Sequence, residues 1–173
     1  MSTVIHMTKK LEKFAKKLIG AKPAGPLGKL GKWKATLFYA NRKKYWLLTN
    51  GNSRYNLILA DIKASDLKNI EAIFKESFYA QLVYDGIIVD FAYVEELLGA
   101  LSFAASDNDR SLTGFQNQRL FDLDWWKSDV QAFESSPPMK WAGHMNTNFN
   151  YAGKGQGNAA YFKAKDRMQA LLA

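Results

Sequence analysis

The chain has no cysteine, which excludes structural disulfides, thiolate zinc sites, iron–sulfur clusters and cysteine nucleophiles together. Imidazoles are nearly as scarce. His6 and His144 are the only two, and neither an HExxH motif nor any other close spacing of histidine with carboxylates offers a metal site. No window approaches eighteen uninterrupted apolar residues, so no membrane insertion is expected. The opening "MSTVIHMTKKLEKF" lacks an apolar run followed by a small-residue cleavage site, and the expected setting is a bacterial cytoplasm. Acid is missing from the first quarter: residues 1–44 carry eleven lysines and one arginine against Glu12 alone, net +11, while the remainder is net −3.

That asymmetry points to an acidic macromolecular partner, nucleic acid or acidic protein, more strongly than the same +8 total spread evenly would. At 173 residues, with 47% hydrophobic and 14% aromatic content, the chain has the material for one well-filled core. Residues 1–134 read as a single α+β domain. Ser135-Ser136-Pro137-Pro138 then opens a Pro/Gly-rich connector and C-terminal helix, 135–173, packed on the same domain.

Local patterns predict the elements. Val4 to Met7 is a short β-favouring run, Thr8 an N-cap, and Leu11, Phe14, Ala15, Leu18 and Ile19 recur on one helical face opposite Lys9, Lys10, Lys13, Lys16 and Lys17. Gly20 ends that helix, and "AKPAGPLGKLG" reads as an irregular connector. "WKATLFY" and "KYWLLT" flank Asn41-Arg42-Lys43, and "RYNLILA" follows Asn50-Gly51-Asn52-Ser53, where Asn-Gly tolerates positive φ. The predicted sheet is antiparallel, the N-terminal strand plus a three-strand meander, with Leu37, Tyr39, Trp46, Leu48, Leu57 and Leu59 on one face. A helix capped by Ser65 and closed by Asp85-Gly86 presents Leu67, Ile70, Phe74 and Phe78. Phe91–Leu98 reads as a helix, Leu101–Ala105 as a strand reached through Gly99, Arg110–Phe133 as an interrupted helix, and 159–172 as a terminal helix.

Three pieces, "TKKL" with a second "KKL" at Lys16-Lys17-Leu18, "GKWKATLFYANRKKYWLLTN", and "DNDRSLTGFQN", occur in an order that resembles an uncharacterised bacterial family, a domain of unknown function. The last holds an R-S-x-x-G-x-x-N element at Arg110, Ser111, Gly114 and Asn117. Phe115-Gln116 departs from that family's pattern, where a small residue and Met are common. The resemblance covers about residues 4–125; it implies an α+β fold and no known activity.

Three surfaces carry candidate chemistry. The lysine face of the first helix, extended by Lys32, Lys34, Arg42, Lys43 and Lys44, has the charge to contact successive phosphates, with Trp33, Tyr39, Tyr45 and Trp46 as stacking candidates. Lysine outnumbers arginine, which favours non-specific contacts over bidentate base readout. Arg110, Ser111 and Asn117 form a second candidate, an anion site at a helix start, the bracing of that helix being the alternative. "GKGQGN" at 153–158 lacks the spacing of a phosphate-binding loop and reads as a connector. No cofactor pattern is present. The enzymatic alternative is a metal-independent, nuclease-like site in which Arg110 works with one histidine. Trp125-Trp126 and Trp141 are candidates for a protein interface or for core.

Overall fold

The computed structural model describes residues 1–20, 25–152 and 160–173; the "GKGQGN" segment lies outside them. The chain runs β1 (Ser2–Met7), α1 (Lys9–Ala15), a 3-10 turn (Lys16–Leu18), β2 (Leu27–Ala40), β3 (Lys43–Asn50), β4 (Asn56–Leu59) and a second 3-10 turn (Ala64–Asn69). It continues through α2 (Ile70–Tyr84), α3 (Phe91–Leu98), β5 (Ala100–Ala105), α4 (Arg110–Trp126), α5 (Val130–Ser135), α6 (Pro138–Thr147), β6 (Phe149–Tyr151), β7 (Tyr161–Lys163) and α7 (Ala164–Leu172).

The α+β class holds, but the main sheet is mixed rather than antiparallel. Its order is β4-β3-β2-β1-β5, with β1 parallel to both neighbours and β2-β3-β4 forming the antiparallel meander. The reason lies in the connections: β1 reaches β2 through α1, and β5 returns after α2 and α3, and a helical crossover delivers the next strand in parallel. Strand β1, enclosed on both edges, is buried at five of its six residues, as parallel strands covered on both faces are.

Two turns differ from expectation in instructive ways. Ala40 pairs with Lys43, so the hairpin turn is Asn41-Arg42 alone, both at positive φ (45° and 64°), and Lys43 already belongs to β3. At the next turn it is Arg54 that adopts positive φ (65°), not the Asn-Gly pair. Gly51 serves close approach instead: its N–H donates to the Lys32 carbonyl at 2.7 Å, and a Cβ there would sit 3.2 Å from that oxygen. The Asn50 side chain organises the turn by accepting from the Asn52 and Ser53 N–H groups, each at 3.0 Å.

The connector read through "AKPAGPLGKLG" is strand from Leu27 onward. Register against β1 shifts between Ser2 and Val4, and at Gly31 a Cβ would lie 2.7 Å from the Gly28 carbonyl, so only glycine lets this irregular stretch fold onto itself. Thr8 caps α1 as expected, its hydroxyl accepting from Leu11 N–H. Ser65 caps nothing; Asp66 instead accepts the Lys63 N–H at 2.7 Å ahead of α2. The helix expected over 110–133 is broken at Lys127–Asp129, where Asp129 caps α5. The helix expected from 159 begins at Ala164, because Tyr161–Lys163 pair with Phe149–Tyr151 as a small second sheet.

Alternation along the strands sorts side chains onto two faces. Ile5, Met7, Trp33, Ala35, Leu37, Trp46, Leu48, Leu57 and Leu59 enter the larger core with residues of α1, α2, α3 and α7. Trp33 packs edge-on against Phe74 and Phe78, centroids 5.3 and 5.2 Å away. Tyr39 shares that side but stays 44% exposed at its open end. On the opposite face, Phe38, Ala40, Tyr45, Leu47 and Ile58 meet Leu123, Phe133, Trp141 and Met145. The rest of this second face is polar, carrying Lys34, Thr36 and Thr49, and the N-terminal half of α4 lies over it. Gln116 of that helix bolts the two together, donating to the Lys34 carbonyl at 3.0 Å and to Thr49 Oγ1 at 3.2 Å.

A buried polar network holds α6 to the sheet. The Asp85 carboxylate accepts from Tyr55 Oη at 2.5 Å, Gln81 Nε2 at 3.2 Å and Asn146 Nδ2 at 3.0 Å. Asn146 Oδ1 in turn accepts the Asn56 N–H at 2.7 Å. Burial, then the adjacent Asp85, pushes the Tyr55 phenol far up, so it keeps its proton and donates it to Asp85. No described helix is long and apolar enough to cross a membrane.

Candidate functional site

Where α4 runs over the polar half of the sheet, two cavities open side by side, of about 750 and 690 Å³. Arg110 and Gly114 line both. The first is bounded by Arg54 from the β3–β4 turn, Ser111, Phe115 and Arg119 from α4, Phe149 and Tyr151 from β6, Phe162 from β7 and Arg167 from α7. The second is bounded by Thr8, Lys9, Lys34, Ser106, Asn108, Thr113 and Asn117. Helix α4 contributes to both through Arg110 and Gly114, four residues apart, while Ser111, Phe115 and Arg119 recur at four-residue steps along the stripe that lines the first.

Four of the chain's five arginines therefore line one cleft. Among the described residues no carboxylate lines either cavity. Arg110 and Arg167 form no ion pair among the described residues, and Arg54 bonds neutral oxygens, Gly51 carbonyl at 2.9 Å and Ser111 Oγ at 3.0 Å. Arg119 alone is paired, its Nε 3.0 Å from Asp122, and it also donates to Asn150 Oδ1. Burial lowers the guanidinium pKa of Arg54, Arg119 and Arg167; all three remain cationic near neutrality. Two of them ride on rings: Arg167 lies 3.6 Å from the Phe162 centroid and Arg119 4.9 Å from that of Phe115. Such stacking fixes a guanidinium plane while leaving its N–H fork pointing elsewhere.

Gly114 has no packing role. Nothing approaches within 4 Å of where its Cβ would be, although glycine inside a helix costs about 1 kcal/mol relative to alanine. It lines both cavities, and its missing side chain leaves space at the edge they share.

The residues singled out in the sequence are only partly brought together. Lys9, Lys10 and Lys13 on α1, and Lys16 and Lys17 on the 3-10 turn that follows it, are exposed and form no ion pair among the described residues. Helix and hairpin lie side by side, since Lys10 Nζ sits 5.3 Å over the Tyr39 ring and Lys44 Nζ 4.6 Å over Phe14. Lys9 reaches the second cavity, as does Lys34, which is 3% exposed and likewise without an ion-pair partner among the described residues. Lys32 is withdrawn from the surface set: Asp107 and Asp109 hold its ammonium at 2.5 and 2.7 Å. Burial alone would lower its pKa, but these two hydrogen bonds outweigh that and raise it. Lys43 pairs with Glu134 at 3.4 Å, and Arg42 stands exposed in the hairpin turn.

Arg110 and Ser111 do line a cavity, and Asn117, two turns along the unbroken α4, lines its neighbour. At the start of α4 it is Asp109 that caps the helix, accepting the Leu112 N–H at 2.9 Å. That bond, and after it Lys32, lowers the Asp109 pKa to about 2. The bracing role falls to Asp109, and Arg110 is left to face the cavities.

The histidines stand apart from Arg110. His6 Nδ1 donates to the Ala105 carbonyl at 2.9 Å, with Nε2 3.9 Å from Asp107. His144 lines a separate pocket of about 190 Å³ with Arg119 and Asp122. Trp126 stacks on Trp141, which stacks on Phe133, at 5.5 and 5.4 Å, whereas Trp125 is 78% exposed. Among the described residues no group of three His, Asp or Glu side chains is placed to hold a metal ion.

Sequence reasoning missed Arg54, Arg119 and Arg167 with the rings beside them. One sign was there: in a chain that uses lysine for bulk charge, five arginines among 24 cations mark positions where planar fork geometry is wanted. A family model described as a domain of unknown function, DUF6933, matches residues 4–167, a span that includes every cation of both cavities. No curated protein and no solved structure matches the chain.

Proposed function

Since the chain belongs to the DUF6933 family, whose description assigns no activity, we propose its function from the cleft itself: a binding module for a phosphate-bearing acidic partner. The observation that supports this is the convergence of Arg54, Arg110, Arg119 and Arg167 on a concave surface to which no described carboxylate contributes. Only Arg119 of the four has an ion-pair partner among the described residues; guanidinium groups so gathered repel one another, and an anion with several oxygens relieves that repulsion while accepting paired N–H bonds. Lys9 and Lys34 continue the positive track into the second cavity. The exposed lysines of α1 extend it further and act at longer range, raising the local concentration of anions rather than fixing their pose.

The binding unit includes residues 135–152 and 160–173, because β6, β7 and α7 supply one wall of the cleft. A cytoplasmic setting belongs to the same proposal. Hydrolysis near Arg110 has less support, since neither histidine lines a cavity with it.

Calorimetric titration with inorganic tripolyphosphate at two salt concentrations tests the reading. Binding is expected at low salt, lost in Arg110→Glu and Arg167→Glu, and only weakened in Lys13→Glu. Absence of any binding at low salt would refute it.

A further inference from the structure

The second sheet is too small to be a core element, and its composition asks for another explanation. In the antiparallel register Phe149 lies opposite Lys163, Asn150 opposite Phe162, and Tyr151 opposite Tyr161. Alternation therefore puts Asn150, 5% exposed, and the half-buried Phe162 on the face toward the body, and Phe149, Tyr151, Tyr161 and Lys163 on the other. Those three rings are 70%, 54% and 64% exposed. A six-residue ribbon gains no stability by holding three large rings in water, and exposed aromatic clusters beside cations mark contact surfaces. Tyr151 and Tyr161 lie 5.4 Å apart as neighbouring rings, and Lys163 Nζ sits 4.8 Å over Phe149. Phe149 and Tyr151 also line the arginine cleft, so the ring face and the guanidinium groups share one rim.

Resting on the reading of the cleft as a phosphate site, we propose that the occupant is single-stranded nucleic acid. Its phosphates lie against Arg54, Arg110 and Arg167, and its bases stack on Tyr151, Tyr161 and Phe149. A free polyphosphate uses the arginines and leaves the rings idle, and an acidic peptide has no repeating planar group to cover them. An unpaired strand presents alternating anions and π-faces, the pattern this rim offers. A concave cleft of about 750 Å³ has the size of a pocket for one small-molecule-sized unit, which suits a splayed nucleotide and not a base-paired helix. The second cavity, with Lys9, Lys34 and Asn117, continues the track so that more than one phosphate is engaged. Stacking is tolerant of base identity, so little sequence preference is expected.

Fluorescence anisotropy on the full chain tests this with four probes: a labelled single strand of about twelve nucleotides, the same strand as a duplex, an abasic sugar–phosphate strand of equal length, and unlabelled inorganic tripolyphosphate as competitor. The base-bearing single strand should bind tightest. Raising salt from about 50 to 200 mM should weaken it roughly 20-fold if three phosphates are neutralised. Tyr151→Ala and Tyr161→Ala should each weaken it about 5- to 100-fold without changing the salt slope, while Tyr151→Phe, which keeps the ring, binds as the parent does. Equal affinity for the abasic strand, equal or tighter duplex binding, or wild-type affinity in both tyrosine variants would overturn the assignment. If tripolyphosphate still binds in that event, the cleft remains a phosphate site; if neither it nor any strand binds, the cleft reading falls as well.

Discussion

Arg167 on α7 lays its guanidinium over Phe162 of β7, 3.6 Å from the ring centroid, and Phe162 in turn stacks on Phe115 of α4 at 6.3 Å. This contact ties the C-terminal helix to the central one through the small sheet and sets the angle at which one cation faces the cleft. Phe162→Leu keeps apolar bulk but removes the π-face. It should lower stability by about 1 kcal/mol and weaken tripolyphosphate binding several-fold, read by thermal melting and calorimetry on the same variant.

Gly114 separates stability from binding. Because a Cβ there meets nothing within 4 Å, Gly114→Ala should stabilise the helix by about 0.5–1 kcal/mol, raising Tm by roughly 1–4 °C for a chain of this size. The added methyl group takes up space at the edge the two cavities share, so anion affinity should fall while Tm rises. A variant in which both rise would remove Gly114 from the site.

Lys32 and its two carboxylates predict a pH dependence with defined sign. The Asp109 pKa is depressed from its ordinary 3.8 to about 2, by the Leu112 N–H first and Lys32 second. Its contribution is thus fully present above about pH 4 and is lost as pH falls toward 2. Lys32, with its pKa raised above 10.5, contributes below that pH and loses its contribution as pH rises past it. Asp109→Ala, which also removes the α4 cap, should cost about 1 kcal/mol at neutral pH, and urea unfolding from pH 2 to 7 should show a shallower acid limb than the parent.

The Asp85 network is a structural control. Asp85→Ala leaves the Tyr55 hydroxyl without its acceptor and takes one of two acceptors from each of Gln81 and Asn146, in a site only 6% exposed, at a cost of about 3 kcal/mol, or roughly 6–12 °C in Tm. At temperatures where the variant stays folded, its anion affinity should match the parent's. A selective loss of affinity would mean that the network also shapes the cleft.

Much of the architecture is legible in local pattern. Thr8 as a cap, Ile70, Phe74 and Phe78 on one helix face, Phe91–Leu98 followed by a strand through Gly99, and the sheet face of Leu37, Trp46, Leu48, Leu57 and Leu59 all follow from rules that act within a few residues, while Leu67, expected on that helix, lies in the 3-10 turn before it. The mixed sheet does not, because whether a strand pairs parallel or antiparallel depends on how the chain returns, and α1 is the crossover that decides it for β1. The three-residue strand Tyr161–Lys163 escaped for a related reason: its β state exists only opposite Phe149–Tyr151.

For the candidate site the division is sharper. Arg110, Ser111, Asn117 and Arg119 share one helix, so their spacing already relates them; Arg54, Arg167, Tyr151 and Phe162 come from a turn and three further elements, and no spacing relates those to the helix. The amino-acid order alone determined where charge is abundant, which stretches bury a face, and that Cys chemistry is impossible, since these depend on composition and on neighbours three or four residues away. Tertiary structure alone decided which cations keep their charge available, by giving Lys32 to Asp107 and Asp109 and Lys43 to Glu134 while leaving Arg110 and Arg167 without carboxylates among the described residues. Coulombic pairing falls off over a few ångströms of space, and distance in space between remote segments is set only when the sheet and its helices close around them.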